Sequence, residues 1–142
     1  WVTNVLTLIG NVYVDLDDYK QALQYFEKSF LVMQDVGVEY ITTEDKLFYS
    51  IRYELSRKMC GKKYDKEKII SLFSEMEYKG AHLLWEAYDR YAMYQLLEDK
   101  SYLETAYNQI QDKADNLELD VAAKFLSYPI PSAIVEEWEK VK

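Results

Sequence analysis

The sequence predicts an all-α protein, and three observations lead to this fold class. The chain of 142 residues contains four glycines and two prolines, and both prolines lie near its C-terminal end. Because glycine and proline are the residues that interrupt helices most strongly, a chain so poor in them favours helices. Apolar residues recur at intervals of three and four, which is the spacing of one helix face. No segment shows the sustained apolar–polar alternation of a β-strand.

Eight helices are predicted from this spacing. In chain order, the predicted helices cover residues 2–16, 19–33, 48–59, 69–76, 85–96, 101–114, 118–127 and 132–141. The composition, 49% hydrophobic and 30% charged residues, is that of a globular protein rather than a disordered one. The length is that of one ordinary domain, so a packed core of amphipathic helices is expected.

Residues typical of helix ends support the predicted boundaries. Gly37, Gly61 and Gly80 each follow an apolar periodic segment, where a helix often ends in a left-handed residue. Asp17 and Asp18 lie between the first two helices, and one of them is expected to cap the second helix.

Two further helix starts are predicted from capping residues. Ser101 is followed three residues later by Glu104, which is the spacing of a capping box, so the sixth helix is expected to begin at Ser101. The run Tyr-Pro-Ile-Pro at 128–131 predicts a break in the chain. Ser132 is then the expected cap of the last helix.

Charge and composition exclude several classes of function. The net charge of −8 argues against binding to a nucleic-acid backbone, which requires a basic excess. No apolar run is long enough to span a membrane. Cys60 is the only cysteine, which fits a reducing compartment, and we expect a cytoplasmic location. The chain starts with Trp1 inside an apolar periodic run and is interpreted as a segment of a longer protein.

A repeat pattern within residues 3–36 resembles the tetratricopeptide family. The residues at the characteristic positions are Leu6, Ile9, Gly10 and Tyr13 in the first helix, and Ala22 and Phe26 in the second. Gly10 and Ala22 are small where the two helices are expected to cross, so the helices can approach closely. The resemblance implies an α-solenoid of about three helical hairpins, closed by a C-terminal capping tail.

Weaker copies of the pattern are predicted later in the chain. The pair at 22 and 26 recurs as Ile69 with Phe73 and as Ala106 with Ile110. The predicted organisation is one domain, 1–142, made of repeats 3–36, 44–79 and 81–117 and of capping helices at 118–142. The last segment also resembles the end of repeat arrays in large bacterial signalling proteins, which place such arrays after a cyclase, kinase or ATPase domain.

The sequence gives little support to catalysis. His82 is the only histidine, so a Ser/His or Cys/His site would have to use it, and a packing role at a helix start is favoured. Cys60 is interpreted as a small, partly buried side chain. The acidic run at 15–18 lacks the glycine and the distant glutamate of a calcium loop. We therefore expect neither enzyme activity nor a cofactor or metal.

The resemblance to the tetratricopeptide family implies protein or peptide binding, with the first helix of each hairpin lining a groove. The candidate groove residues are Asn4, Thr7, Asn11, Tyr49, Arg52, Tyr53 and Arg90. In chaperone-binding members of the family, Lys stands at the place of Thr7, so binding to a chaperone tail is not predicted. The partner is expected to be a protein or peptide, with an acidic one favoured by the arginines, and self-association is left open.

Three alternatives remain at this point. A regulatory or ligand-sensing segment of a cyclase, kinase or ATPase is one, and a peptide-pheromone sensor is another. A third alternative concerns the docking site, because an acidic partner could bind to a local basic run instead of to the groove. Its members are Arg57, Lys58, Lys62, Lys63, Lys66 and Lys68.

Overall fold

The computed structural model describes residues 2–36, 43–78 and 87–142, which form eight α-helices and contain no strand. The all-α prediction is therefore confirmed for this part of the chain. The chain divides into two compact units, Trp1–His82 and Leu83–Lys142. The helices of the first unit are α1 (Val2–Asp15), α2 (Tyr19–Val36), α3 (Thr43–Met59) and α4 (Lys66–Tyr78). Those of the second are α5 (Ala87–Leu97), α6 (Lys100–Asp115), α7 (Leu119–Leu126) and α8 (Pro129–Val141).

The hairpin of α1 and α2 depends on a close approach at Gly10. A Cβ atom added there would lie 2.6 Å from Cε1 of Phe26. Phe26 and Ala22 are both buried, so the ring cannot move into open space. Beside the crossing, the rings of Tyr13 and Tyr25 stack with their centroids 5.5 Å apart. The prediction that Gly10 must be small where the helices meet is confirmed.

The turn between α1 and α2 is held by backbone hydrogen bonds and one cap. Asp17 has a φ of 58°, and its N–H donates to the carbonyl of Val14 at 3.0 Å. The N–H of Asp18 donates to the carbonyl of Tyr13 at 2.8 Å, which completes a Schellman motif. The Asp18 carboxylate accepts from the N–H of Gln21 at 3.1 Å, so Asp18 is the one of the two predicted candidates that caps α2.

The end of α3 repeats this geometry with glycine at the left-handed position. Gly61 has a φ of 68°, and its N–H donates to the carbonyl of Lys58 at 3.0 Å. The N–H of Lys62 donates to the carbonyl of Arg57 at 2.9 Å. Asp17 and Gly61 therefore occupy corresponding places at the ends of α1 and α3, and they provide a register for comparing the two helices.

In the first unit α3 contacts α1, α2 and α4. Its buried apolar side consists of Leu47, Ile51 and Leu55, and Ile69 on α4 is also fully buried. The first helices of the two hairpins, α1 and α3, thus lie beside each other.

The second unit is organised around α6, which contacts α5, α7 and α8. Its core consists of Ala87, Leu103, Ala106, Ile110 and Ile134. Three tyrosines of α5 pack against this core although they are spread around the helix: Tyr88, Tyr91 and Tyr94. They can do so because a half-buried tyrosine keeps its hydroxyl near solvent while its ring is packed.

A hydrogen bond joins α5 to α8 in this unit. The Tyr94 hydroxyl donates to Oε1 of Glu137 at 2.9 Å. Burial and this hydrogen bond to a carboxylate both disfavour loss of the phenolic proton, so they raise the pKa of Tyr94.

Two predicted helix starts are wrong. Helix α6 begins at Lys100 and is capped by Asp99, whose carboxylate accepts from the N–H of Ser101 at 2.9 Å. Helix α8 begins at Pro129 with Tyr128 as its N-cap residue, so Ser132 lies inside the first turn. Proline suits this place because the first N–H groups of a helix have no intrahelical partner.

Other predicted features lie outside the described residues, among them Gly37, Gly80, His82 and Trp85. Within the described part of the chain, no helix is both long and apolar enough to cross a bilayer.

Candidate functional site

Two predicted groove residues meet at the exposed side of α1 and α3. The Tyr49 hydroxyl on α3 donates to Oδ1 of Asn4 on α1 at 3.0 Å. The two residues are far apart in sequence, so this hydrogen bond records the lateral contact of the two first helices. Polar side chains from both helices therefore share one surface, which we call the α1–α3 surface.

Tyr53 and Arg52 lie near this surface and are half-buried. The Tyr53 ring packs edge-on against Phe30 of α2, with centroids 4.7 Å apart. Its hydroxyl accepts a long hydrogen bond of 3.4 Å from Nη1 of Arg57. Tyr53 therefore serves the packing of α2 on α3, and only part of it is available to a partner.

Thr7 lies inside the α1–α2 hairpin rather than on an open surface. Its side chain is buried, and Oγ1 lies 2.9 Å from Oγ of Ser29. The Ser29 hydroxyl donates to the carbonyl of Thr3 at 3.2 Å, so Thr7 is the donor in the bond to Ser29. The Thr7 hydroxyl is thus used within the hairpin, and we leave it out of the surface proposed below.

The two remaining candidates are placed differently. Asn11 on α1 is half-buried, and its enclosed Oδ1 has no hydrogen-bond partner among the described residues. Arg90 is half-buried on α5 in the second unit. Arg90 therefore belongs to a different unit from the other groove candidates.

The basic run forms an ordered connection between α3 and α4. Nε of Arg57 donates to the carbonyl of Lys63 at 2.6 Å, and the Lys58 ammonium lies 5.7 Å from the centre of the Tyr64 ring. The Asp65 carboxylate accepts from the N–H of Lys68 at 3.0 Å and caps α4. Two of the six basic side chains thus help to hold the loop. The other four, Lys62, Lys63, Lys66 and Lys68, are exposed.

Charge is distributed unevenly along the chain. Residues 57–68 contain six basic and two acidic residues, a net charge of +4. The total of −8 therefore leaves −12 on the rest of the chain. An acidic partner would be repelled by most of the molecule, so it would bind where cations are concentrated.

Glu54 is a structural residue that the sequence analysis missed. It is 5% exposed on α3, and its Oε2 accepts from the N–H of Asp65 at 2.8 Å. With α1 and α3 aligned at Asp17 and Gly61, Glu54 occupies the place of Gly10. The Glu54 carboxylate thus holds the loop before α4. The matching residue of α1, Gly10, has no side chain that could do the same. No pattern in the sequence indicates this contact, because its donor is a backbone N–H.

The residues considered for chemistry have ordinary structural surroundings. Cys60 is half-buried at the end of α3 and forms no disulfide. Asp17 accepts a hydrogen bond from the Tyr19 hydroxyl at 3.1 Å, and Asp18 caps α2. Within the described residues, no group of histidine, cysteine, aspartate and glutamate side chains is arranged to hold a metal ion.

Comparison with protein-family models, with curated proteins and with solved structures gives no match to this chain. The tetratricopeptide resemblance of residues 3–36 therefore remains a prediction, supported by the spacing of the residues and by the geometry of the hairpin.

Proposed function

We propose that the chain is a non-catalytic protein-binding module of tetratricopeptide-like hairpins. Its partner docks on the α1–α3 surface of the first unit. The hydrogen bond between Asn4 and Tyr49 carries this proposal, because it brings predicted groove residues from two first helices to one exposed place. Arg52 adds a cation on the same helix as Tyr49.

The repeat assignment that underlies the proposal has support from burial. The three residues aligned as equivalents in the second helices are each fully buried: Ala22, Ile69 and Ala106. Of the two residues aligned with Phe26, Ile110 is also buried and Phe73 is half-buried. Repeated burial at matched places is expected when each hairpin uses the same face for its core.

The proposed partner is an acidic segment of a protein. Arginine and tyrosine are common anchors in binding surfaces, since the guanidinium matches a carboxylate and the tyrosine ring offers area at low entropic cost. The net charge of −8 makes this preference testable, because binding would rest on few cations and should weaken with added salt.

The test begins with capture of partners from the source cell on the immobilised chain, and then titrates the purified partner against three variants. Arg52→Glu should weaken binding about tenfold or more, which corresponds to about 1.4 kcal/mol. Lys20→Glu, on the exposed side of α2, makes the same charge change and should bind within about twofold of the parent. Tyr49→Phe removes only the hydroxyl and should weaken binding less than Arg52→Glu.

Variants of the basic loop between α3 and α4 test whether the partner binds there instead. If Lys62→Glu with Lys63→Glu abolishes binding while Arg52→Glu leaves it unchanged, the partner docks on the loop between α3 and α4. The α1–α3 surface is then not the binding site. Circular dichroism of each variant shows whether a loss of binding follows from a loss of fold.

A further inference from the structure

The basic loop between α3 and α4 is held by contacts that leave four of its lysines exposed. Nε of Arg57 donates to the carbonyl of Lys63 at 2.6 Å, which ties the loop to the end of α3. Glu54 accepts from the N–H of Asp65 at 2.8 Å and ties the loop to the middle of α3. Among the described residues, no carboxylate pairs with the ammonium groups of the four exposed lysines, Lys62, Lys63, Lys66 and Lys68. The loop is therefore an ordered cluster of cations that make no ion pair within the described part of the chain.

A row of α3 side chains connects this cluster to the α1–α3 surface. Tyr49, Tyr53 and Arg57 are spaced by four residues, so they are neighbours along one side of α3. The guanidinium carbon of Arg57 lies 5.7 Å from the centre of the Tyr53 ring, and Nη1 donates to the Tyr53 hydroxyl at 3.4 Å. Arg57 also bonds to the loop at Lys63. The α1–α3 surface therefore continues through Tyr53 and Arg57 to the basic loop.

The distribution of charge favours an acidic polypeptide as the ligand of this loop. Residues 57–68 carry a net charge of +4, and the rest of the chain carries −12. A nucleic acid or an anionic bilayer presents phosphates over a broad area, so some of them would face Asp65, Glu67 and the acidic remainder of the molecule. An extended polypeptide can place its carboxylates beside the lysines alone. Repulsion is therefore smallest for a short acidic segment.

We propose that the acidic segment bound at the α1–α3 surface continues along α3 and places its carboxylates on the lysines of the basic loop. This inference rests on the proposed function and specifies its partner. From Tyr49 to Met59, α3 rises about 15 Å, a distance that about five extended residues cover. About three more residues reach the lysines beyond Met59. The ligand is thus an extended acidic segment of about eight residues.

The probe for this proposal is octaglutamate that carries a fluorescent label. Fluorescence anisotropy measures its dissociation constant with the 142-residue chain at up to about 1 mM of the chain. We expect binding that weakens as salt is added, and octaglutamine should not bind. Tetraglutamate spans only about 13 Å, so it is too short to cover both the α1–α3 surface and the loop. It should bind at least about tenfold more weakly than octaglutamate.

Single charge reversals show which parts of the surface the octaglutamate contacts. Arg52→Glu on α3, and Lys63→Glu and Lys68→Glu in the basic cluster, should each weaken binding at least about threefold. Lys20→Glu makes the same change on the exposed side of α2 and should stay within about twofold of the parent.

One of these variants separates a loss of binding from a loss of stability. Lys68→Glu exchanges a cation for an anion in the first turn of α4, a change that the helix dipole favours. Its midpoint of urea unfolding should therefore be no lower than that of the parent, although it binds octaglutamate more weakly.

The outcomes distinguish this inference from the proposed function. If Arg52→Glu weakens binding of octaglutamate while Lys63→Glu and Lys68→Glu do not, the proposed function stands and the extension onto the loop is wrong. If only the two loop variants weaken binding, the segment binds the loop alone, and both proposals are wrong. The extension is also wrong if octaglutamate does not bind, or if no variant weakens binding more than Lys20→Glu does.

Vesicles that contain phosphatidylserine test the alternative ligand. If the chain sediments with these vesicles, loses this property in Lys63→Glu and Lys68→Glu, and does not bind octaglutamate, the ligand of the loop is a lipid surface and the proposal is overturned. We expect the opposite result, binding of octaglutamate without sedimentation on vesicles.

Discussion

Replacing Gly10 tests the central contact of the first hairpin. A Cβ atom at this position would lie 2.6 Å from Cε1 and 2.8 Å from Cδ1 of Phe26, whereas carbon atoms pack at about 3.5–4.0 Å. Phe26 is 2% exposed, so its ring can move only by displacing other core atoms. Overpacking of this kind costs about 1–3 kcal/mol. Gly10→Ala recovers about 1 kcal/mol of helix propensity, so its net loss should be about 0–2 kcal/mol.

Gly10→Leu adds three further carbons and should destabilise by about 2 kcal/mol or more. Urea unfolding followed by far-UV circular dichroism measures these losses. Phe26→Leu removes the ring that the new side chain meets, so the double variant should be more stable than the sum of the two single losses predicts.

Gly61→Ala is the matched control for this cycle. It places the same methyl group at a φ of 68°, where nothing lies within 4 Å of the added atom. Its cost of about 1–2 kcal/mol comes from the left-handed backbone, so it should simply add to the cost of Phe26→Leu. The reasoning is refuted if Gly10→Leu is as stable as the parent, or if its cost also adds to that of Phe26→Leu. The tetratricopeptide assignment of residues 3–36 would then fall with it.

Three further predictions concern hydrogen bonds to or from side chains. Hydrogen bonds from Ser101 lower the pKa of Asp99, so this cap stabilises the fold above the ordinary aspartate pKa and is lost as pH falls through the lowered one. Asn also caps helices but does not titrate. The difference in free energy of unfolding between the parent and Asp99→Asn, measured in urea, should therefore decrease as the pH falls from about 6 to about 2. Glu54→Ala should cost about 1.5–3 kcal/mol in the same assay, because the backbone N–H before α4 loses a charged acceptor, whereas Glu54→Gln should cost less. Tyr94→Phe should cost about 1 kcal/mol and lower the melting temperature, because the bond to Glu137 joins α5 to α8; an unchanged melting temperature would contradict this.

The helices could be predicted from the sequence because apolar periodicity is a local signal. Gly10 was also predicted in its observed role, and the cap of α2 was predicted as Asp17 or Asp18, since a small residue at a crossing and an aspartate before a helix have direct local causes. The predicted caps of α6 and α8 were wrong because residue type alone does not decide which residue is the cap. Asp99 and Ser101 are both good caps two residues apart, and the choice between them depends on where the backbone leaves the extended conformation.

The candidate site was less accessible from the sequence, because side-chain pairing between helices depends on register. The family pattern placed Thr7 in the groove, but Ser29 on α2 draws its hydroxyl into the hairpin. Glu54 was missed because its partner is a backbone N–H in a loop, and nothing in the residue type there records the contact. Asn4 and Tyr49 could be predicted only as members of the same surface, and their direct contact required the packing of α1 on α3.

The composition of α1 does not match the exposure of its outer side. A helix that is apolar around most of its circumference is typical of a buried position, whereas a helix at a surface carries charges on its outer side. Helix α1 has no charge from Val2 to Val14, yet Leu8 is 62% exposed. By contrast α3 carries Arg52, which is half-buried, and Glu54, which is buried. The exposed side of α1 therefore has the composition that is typical of a covered helix face.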